Sequence, residues 1–185
     1  MASLTTGDLT RFHPLENKLF AANNILLKPA AVQTRLILRA SADQIESVGG
    51  VLGLVLPRLP KTSTTNGSRT VMWLGPDEWL VIEKLKSSLH KMPRKLSEVQ
   101  CSAVDVSHRN TAIVLSGKGA ANVLNTGCPQ DLSLGAFPLG ACSRTVLGKS
   151  EIILLRTSAN TFHVECWRSF SDYVWNYLVD GIKTL

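Results

Sequence analysis

The stretch "DVSHRNTAIVLSGKG", residues 105–119, decides how the chain is organised, because one regular unit ends in it and another begins. CSAVDVS (101–107) alternates as a β-strand does, and NTAIVLSG (110–117) is a second strand pattern. KGAANVLNTG (118–127) then predicts a short helix that Gly127 ends. The stretch therefore predicts a junction between two structural units.

A strand followed by a helix opens the region before this junction. QTRLILRA (33–40) has the alternation of a strand, and the pattern predicts a helix starting at Ser41 with Gln44 as its capping-box partner. The apolar stripe of that helix is Ile45, Val48, Val51 and Leu52. PKTSTTNGS (60–68) is rich in turn-forming residues and predicts a mobile loop.

A hairpin and a second helix complete the first unit. SRTVMWL (68–74) and EWLVIE (78–83) are strand patterns joined by the short turn Gly75-Pro76-Asp77. A basic helical stretch follows at about 86–99, before the strand at 101–107. The order β-α-β-β-α-β is that of a ferredoxin-like unit.

A three-stranded meander follows the junction and the short helix. CSRTVLG (142–148), SEIILLRT (150–157) and NTFHVECW (160–167) are its strands, with turns at Gly148 and Asn160. A final helix is predicted, capped by Ser169 with Asp172 three residues on and ended by Gly181. Its apolar stripe is Phe170, Tyr173, Val174, Tyr177 and Leu178.

These patterns predict an α+β fold of two ferredoxin-like halves, each a mostly antiparallel sheet covered by helices. We expect an extended N-terminal arm over residues 1–30 that packs on a neighbour. The first half is expected at residues 31–108, and the second half, with an aromatic C-terminal helix, at 109–185.

Composition limits the class of protein. The 185 residues are 44% hydrophobic and 18% charged, with no apolar run near the roughly 20 residues of a membrane helix. The N-terminus lacks the layout of a signal peptide, so a cytoplasmic location is expected. Four dispersed cysteines predict buried reduced thiols, and four dispersed histidines give no spacing for a metal site.

The net charge of +6 is concentrated partly in one stretch. Such charge can attract acidic ligands, nucleic acid or an acidic partner subunit, but a solvated helix face is the favoured interpretation. No aromatic side chains lie between these bases to stack on nucleotides, which weakens the nucleic-acid alternative. The residues are Lys84, Lys86, His90, Lys91, Arg94 and Lys95.

Asp105, Ser107 and His108 have the residue types of a catalytic triad, but their spacing does not suit one. Alternation along a strand turns His108 away from the other two, whereas a general base must reach the nucleophile at about 2.6–3.2 Å. A strand end whose polar residues bond the backbone in a turn is the favoured interpretation.

Residues 116–119, Ser-Gly-Lys-Gly, invite comparison with phosphate-binding loops. The Walker pattern fails because Ala112 stands at its first glycine and Gly119 at its Ser or Thr, and the dinucleotide pattern fails at Asn122. A tight turn from strand to helix is favoured instead.

Other chemically active side chains also have structural interpretations. Asp77 and Glu78 suit a hairpin turn, and a turn-forming Asp after proline is preferred to a binding acid. His163 and Cys166 lie on a strand where core packing is favoured over metal ligation. The four tryptophans, which are favoured as structural or interface residues over flavin or pterin stacking, are Trp73, Trp79, Trp167 and Trp175.

Several segments in succession resemble one known family, the gamma subunit of heterotetrameric sarcosine oxidase. The resemblance runs from about residue 30 to the C-terminus, and its order and spacing make it specific. Its segments are WLGPDEWLV (73–81), DVSHRNTAIVLSGKGAANVLNTGCPQDL (105–132), FPLGACSRTVLGK (137–149) and TFHVECWRSFSDYVWNYL (161–178).

The resemblance implies a fold related to the folate-dependent aminomethyltransferase, or T-protein, without its C-terminal barrel. It implies an accessory, non-catalytic subunit partnered by alpha, beta and delta subunits, with no nucleic acid and no membrane. By this resemblance, the complex is expected to oxidise sarcosine with O2 and tetrahydrofolate to glycine, H2O2 and methylenetetrahydrofolate. Its FAD, FMN, NAD, zinc and tetrahydrofolate are expected on the other subunits.

The sequence assigns no catalytic, cofactor-binding or metal-ligating residue to this chain. The main alternative is a stand-alone tetrahydrofolate-binding protein that keeps a relic T-protein cleft. An RNA-binding module and a hydrolase that uses Ser107 are weaker alternatives, because the aromatic strand signature and the nucleophile elbow are both missing from the sequence.

Overall fold

A computed structural model describes residues 13–84 and 88–185, except the side chains of Ser88 and His90. Its strands are β1 (Phe20–Ala22), β2 (Ile25–Pro29), β3 (Gln33–Ala40), β4 (Ser63–Asn66), β5 (Arg69–Gly75), β6 (Glu78–Lys84), β7 (Cys101–Asp105), β8 (Asn110–Ser116), β9 (Cys142–Leu147), β10 (Ser150–Ser158) and β11 (Thr161–Trp167). Its α-helices are α1 (Ile45–Leu52), α2 (Met92–Leu96), α3 (Ala120–Asn125) and α4 (Ser171–Lys183).

The first sheet confirms the β-α-β-β-α-β prediction. Its strand order is β4-β5-β6-β3-β7, and every pairing is antiparallel. Without β4, this is the order of a ferredoxin-like sheet, with the first and third strands in the centre.

The predicted mobile loop at 60–68 is wrong, because residues 63–66 form the edge strand β4. Asn66 pairs with Arg69 across a two-residue turn, and Gly67 has the positive φ of 59° that such hairpin turns require at their first position. Polar side chains are typical of an edge strand, and for this reason the composition of residues 60–68 could not be distinguished from that of a loop.

The second sheet has the order β1-β2-β8-β11-β10-β9 and confirms the predicted meander. The hairpin β1-β2 pairs with β8 of the same chain, so residues 20–29 are part of this sheet and not an extended arm. Packing of this region on a neighbour stays a prediction. Asn23 and Asn24, with φ of 51° and 57°, form its two-residue turn. Residues 1–12 lie outside the described residues, and we retain 31–108 and 109–185 as proposed limits of the halves.

The two sheets pack face to face, with helices on the outer faces. α1 and α2 cover the first sheet, and α3 and α4 cover the second. An apolar cluster joins the sheets, and its buried members are Met72, Leu74, Leu80, Ile82, Val106, Cys142, Ile153 and Leu155. The predicted α+β class, two antiparallel sheets covered by helices, is therefore confirmed.

The first two helices begin differently from the prediction. A 3-10 turn, Ala42–Gln44, precedes α1, and Ser41 makes no capping bond while Gln44 Nε2 donates to Asp43. The predicted helix at 86–99 is shorter, because α2 spans only Met92–Leu96, with Pro93 in its first turn. Residues 86 and 87 of that prediction lie outside the described residues.

The final helix buries a different stripe from the one predicted. Val174 and Leu178 are buried, but Trp175 and Ile182 complete the face, while Phe170 and Tyr173 stay exposed. A 3-10 turn, Arg168–Phe170, precedes the helix, so Ser169 does not cap it. Gly181 does not end it; it lies inside the helix, against Val123 and Thr126 of the α3 region.

Gly127 follows α3 but does not adopt the left-handed conformation of a capping glycine. A Cβ at this position would lie 2.3 Å from the hydroxyl oxygen of Tyr177, which donates to Thr126 O at 3.0 Å. The glycine is therefore needed for the close approach of α4, not for the helix stop.

Replacing Gly117 with alanine should destabilise the second half. Gly117 has a φ of 130°, and a Cβ there would lie 2.2 Å from the carbonyl oxygen of Asn24 in the β1-β2 turn. We expect Gly117→Ala to lower the free energy of unfolding by about 2 to 4 kcal/mol, measured by denaturant unfolding.

Gly50→Ala is the matched control, because a Cβ at Gly50 in α1 meets nothing within 4 Å. We expect this variant to be neutral or more stable by about 0.5 to 1 kcal/mol. Equal effects of the two substitutions would contradict the close packing of the N-terminal hairpin on the 116–119 turn.

Candidate functional site

The polar residues at the end of β7 bond the backbone, as the favoured interpretation expected. Ser107 N donates to Asp105 Oδ1 at 2.8 Å, and Ser107 Oγ accepts from Arg35 N at 2.8 Å. His108 is exposed in the following turn, whereas Ser107 is buried. Ser107 is thus engaged in holding β3 to the junction and has no hydrogen bond to His108, so the arrangement is not a triad.

Residues 117–119 form the tight turn from β8 to α3 that the favoured interpretation predicts. Gly117 N donates to Asn160 O at 2.9 Å, which ties this turn to the hairpin between β10 and β11. α3 has only six residues and begins at Ala120. The glycines therefore serve close backbone packing here.

A buried ionic cluster lies where the two sheets meet. Arg35 Nε donates to Glu165 Oε2 at 2.7 Å, and His163 Nε2 lies 2.7 Å from Glu165 Oε1. Arg35 points from β3 toward the second sheet, and Glu165 points from β11 toward the first. Glu165 is 0% exposed. The cluster therefore links the halves through charge as well as through apolar packing.

Ionised Glu165 is the centre of this cluster. Burial by itself raises the pKa of its carboxyl group, but the Arg35 guanidinium and His163 outweigh this and hold the pKa below its usual value. A carboxylate can only accept, so Nε2 of His163 carries the hydrogen. A group held in this form between two donors is suited to structure and not to proton transfer.

The space around the cluster is filled. The two cavities at the junction have volumes of about 20 Å³ and about 10 Å³, each enough for one water at most. Ligand pockets usually measure about 300–1,000 Å³. A larger apolar groove of about 340 Å³ lies along α1, away from the cluster, and includes Gly49, Gly50, Leu54 and Val55.

The cysteines are free thiols, as predicted. Cys128, Cys142 and Cys166 are also buried as expected, whereas Cys101 is only partly buried. Burial raises the pKa of Cys142 and of Cys166 to about 12, so both remain protonated at neutral pH. Among the side chains that the structure describes, no three of His, Cys, Asp or Glu are grouped to hold a metal ion.

The turn acids and three of the tryptophans have structural roles. Asp77 pairs with Arg39 at 3.2 Å, and Glu78 pairs with Arg144 across the two sheets. Trp79 and Trp175 are buried, and Trp73 is partly buried in the same core as Trp79. His163 and Cys166 are buried too, as core packing predicted.

The basic stretch is exposed to solvent, as the interpretation of a solvated helix face predicts. Its described members are Lys84, Lys91, Arg94 and Lys95.

Trp167 differs from the other tryptophans, because 43% of it is exposed. Its ring centroid lies 6.3 Å from that of Phe170 and 5.4 Å from the Arg109 guanidinium carbon. Arg168 lies between the two aromatic residues in sequence. We call Arg109, Trp167, Arg168 and Phe170 the arginine–aromatic surface.

Sequence analysis missed both Arg35 and Glu165 as members of the cluster. No local signal distinguished them. Arg35 shares its face of β3 with Gln33 and Arg39, and Glu165 shares its face of β11 with Thr161 and His163.

In the described part of the chain, no helix is long and apolar enough to span a bilayer.

Two antiparallel sheets packed face to face, with helices outside, define the class of α+β proteins to which this fold belongs. Glycine cleavage system aminomethyltransferase T from Bartonella henselae has this fold, with a TM-score of 0.62 and 11% identity. The match covers 83% of this chain and 45% of that chain. At this identity the likeness concerns the fold alone.

Residues 39–183 match the model of the sarcosine oxidase, gamma subunit family, and the chain belongs to that family. "Sarcosine oxidase subunit gamma" of Corynebacterium sp. (strain P-1) is 27% identical over 168 residues, which are 88% of this chain and 82% of the relative. The counterpart from Corynebacterium sp. (strain U-96) is 28% identical over 163 residues, 86% of this chain and 80% of that protein.

A solved structure agrees with this assignment. A chain of heterotetrameric sarcosine oxidase from Corynebacterium sp. U-96, in complex with pyrrole 2-carboxylate, matches with a TM-score of 0.85 and 26% identity. The match covers 94% of this chain and 95% of that chain. The resemblance noted in the sequence is thus confirmed at the level of family and fold.

Proposed function

We propose that this chain is an accessory, non-catalytic gamma subunit of a cytoplasmic heterotetrameric sarcosine oxidase, needed for assembly and stability. The observation that carries the proposal is the match, over nearly the full length of both chains, to a chain of a heterotetrameric sarcosine oxidase. Its partners in this proposal are the alpha, beta and delta subunits.

The state of the reactive groups supports a non-catalytic role. Ser107 is bound to the backbone of Arg35, Glu165 is held between two donors, and the Cys142 and Cys166 thiols remain protonated. The candidate chemical groups of the junction are therefore committed to holding the fold together.

We infer that the cofactors act on the other subunits. The reaction of the complex would convert sarcosine, O2 and tetrahydrofolate to glycine, H2O2 and methylenetetrahydrofolate, with FAD, FMN, NAD and zinc on the partners. Cavities of about 20 Å³ and about 10 Å³ at the sheet junction are far too small for a flavin or a folate, which supports this division of labour.

Omitting this chain should prevent normal assembly. We expect co-expression of all four subunits to give an active complex that carries flavin, and co-expression without this chain to lower the recovered activity about tenfold or more, because a subunit interface is left uncovered. Recovery of full activity from alpha, beta and delta alone would refute the required role. The isolated chain, free of flavin and inactive on sarcosine, is the control.

The alternative, a stand-alone tetrahydrofolate-binding protein, is tested on the isolated chain. We expect calorimetric titration with tetrahydrofolate to give no saturable binding, because side chains fill the junction between the sheets. Saturable micromolar binding would favour the alternative and weaken the accessory-subunit proposal.

A further inference from the structure

The arginine–aromatic surface has the composition of a protein-binding site. Trp167 and Phe170 each leave 43% of their surface exposed, at the start of the chain's longest described helix. Tryptophan and arginine dominate the residues that contribute most to binding in protein interfaces. Arg109 packs on the Trp167 ring, so one aromatic and one cationic group are presented together.

The surface carries positive charge that the described residues do not neutralise. Within them, neither Arg109 nor Arg168 has a carboxylate within 4.0 Å. Two other exposed arginines, Arg39 and Arg58, do have such partners. The nearby carboxylate, Asp172, is bound to Lys18. The positive charge of Arg168 also reaches His13. The pKa of His13 is lowered first by burial and then by the charges of Arg35 and Arg168.

The two arginines are held on a rigid support. Trp167 pairs with Asn110 at the end of the β8-β11 ladder, and Arg168 N donates to Arg109 O at 2.7 Å just beyond it. Arg109 Nε donates to Asn110 Oδ1 at 3.1 Å, and Ser171 Oγ donates to Arg168 O at 2.8 Å. Such preorganisation lowers the conformational entropy that this surface must lose when a partner binds.

We propose that the arginine–aromatic surface is a docking site for a carboxylate-bearing segment of a partner subunit in the oxidase complex. This inference rests on the proposed function, since it assumes that partner subunits exist. Aspartate or glutamate side chains of the partner would pair with Arg109 and Arg168, and apolar side chains would cover Trp167 and Phe170. A shallow depression beside them, which includes Pro14, His108 and Ser169, gives that segment a place to lie.

Charge reversal at the two arginines tests the proposal in the complete complex. We expect Arg109→Glu/Arg168→Glu to weaken binding of this chain to the alpha–beta–delta assembly by about thirtyfold. The binding of the wild-type chain should weaken as salt rises, and the variant should lose much of that dependence. Trp167→Ala, which leaves the charge unchanged, should weaken binding by about tenfold or more with the salt dependence intact.

Arg94→Glu/Lys95→Glu is the matched control, because it makes the same change in net charge on exposed residues of α2. We expect it to change affinity by less than about twofold. Thermal unfolding of each isolated variant shows whether the chain stays folded. Should the charge-reversed chain not fold, Arg109→Gln/Arg168→Gln and Trp167→Ala give the same comparison.

The outcomes separate the two proposals. If the wild-type chain does not join the other three subunits, the proposed function fails and this inference fails with it. If the wild-type chain assembles and folded surface variants bind equally well, only the docking site is refuted. Loss of RNA or anionic-vesicle binding in the arginine variants, with assembly unchanged, would assign the surface to a phosphate-bearing ligand and also refute the proposal.

Discussion

Glu165→Gln is expected to lower the free energy of unfolding by about 3 to 5 kcal/mol, because it leaves the buried Arg35 charge without its counter-charge. The Arg35 side chain is 4% exposed and that of Glu165 is 0% exposed, so water cannot replace the carboxylate. The two groups lie on different sheets, and the loss should therefore weaken the packing of one half on the other. Denaturant unfolding of the purified chain measures the change.

The control for this prediction is Glu151→Gln, which removes an exposed carboxylate from the neighbouring strand β10. We expect it to change stability by less than about 0.5 kcal/mol. Arg35→Met/Glu165→Leu should recover much of the loss, since replacing a buried pair by apolar residues is often neutral or stabilising. If Glu165→Gln is as stable as Glu151→Gln, the cluster contributes little to the free energy of unfolding.

The same cluster fixes the sign of an acid dependence. The pKa of Glu165 is lowered in the folded chain, so its contribution is present above the unfolded-state value of about 4.3 and is lost as pH falls through the folded value. Between pH 6 and the acid-unfolding range, the wild type should lose more stability than Glu165→Gln. Parallel pH profiles of the two proteins would contradict this origin.

Local patterns were enough to predict the order of elements in the first half and every strand of its sheet except the edge strand β4. QTRLILRA and the hairpin of 69–84 carry their alternation and turn residues within a few positions, and both formed as expected. The β1-β2 hairpin was missed although Asn23-Asn24 between short apolar runs is a hairpin signal. Its strands have only three and five residues, too few for alternation to be recognised.

The cluster could not be predicted because its members meet only when the sheets pack. Arg35 and Glu165 are 130 positions apart, and their contact depends on which faces of β3 and β11 meet. Alternation predicts that Arg35 and Leu36 lie on opposite faces of β3. It does not predict which of these faces packs against the second sheet. The turn at DVSHRN (105–110), by contrast, could be predicted from local sequence. Its hydrogen bond joins Ser107 N to the side chain of Asp105, only two residues away.

Arg156→Ala should also destabilise the chain strongly, by about 3 to 4 kcal/mol. Arg156 on β10 is 2% exposed, and its guanidinium donates to Ala159 O and to Leu132 O. Its charge centre lies 4.4 Å from the Phe162 ring centroid. Within the described residues, no carboxylate lies within 4.0 Å of it, so carbonyl oxygens and the ring stabilise the cation.

The choice of substitution distinguishes the causes of this loss. Arg156→Lys keeps the buried charge but cannot bond two carbonyls with a planar fork, so we expect it to be less stable than Arg156→Met. Arg94→Ala, an exposed arginine on α2, is the control and should change stability by less than about 0.5 kcal/mol.

The effect of Arg156 should concentrate in the long connection between α3 and β9. Besides Leu132 O, this segment is held by Gly140 N, which donates to Arg156 O at 2.9 Å, and by the buried Phe137. Limited proteolysis should therefore cut Arg156→Ala within residues 127–141 faster than the wild type, before global unfolding. Unchanged cleavage there, with a global loss of stability, would show that Arg156 supports the sheet and not the connection.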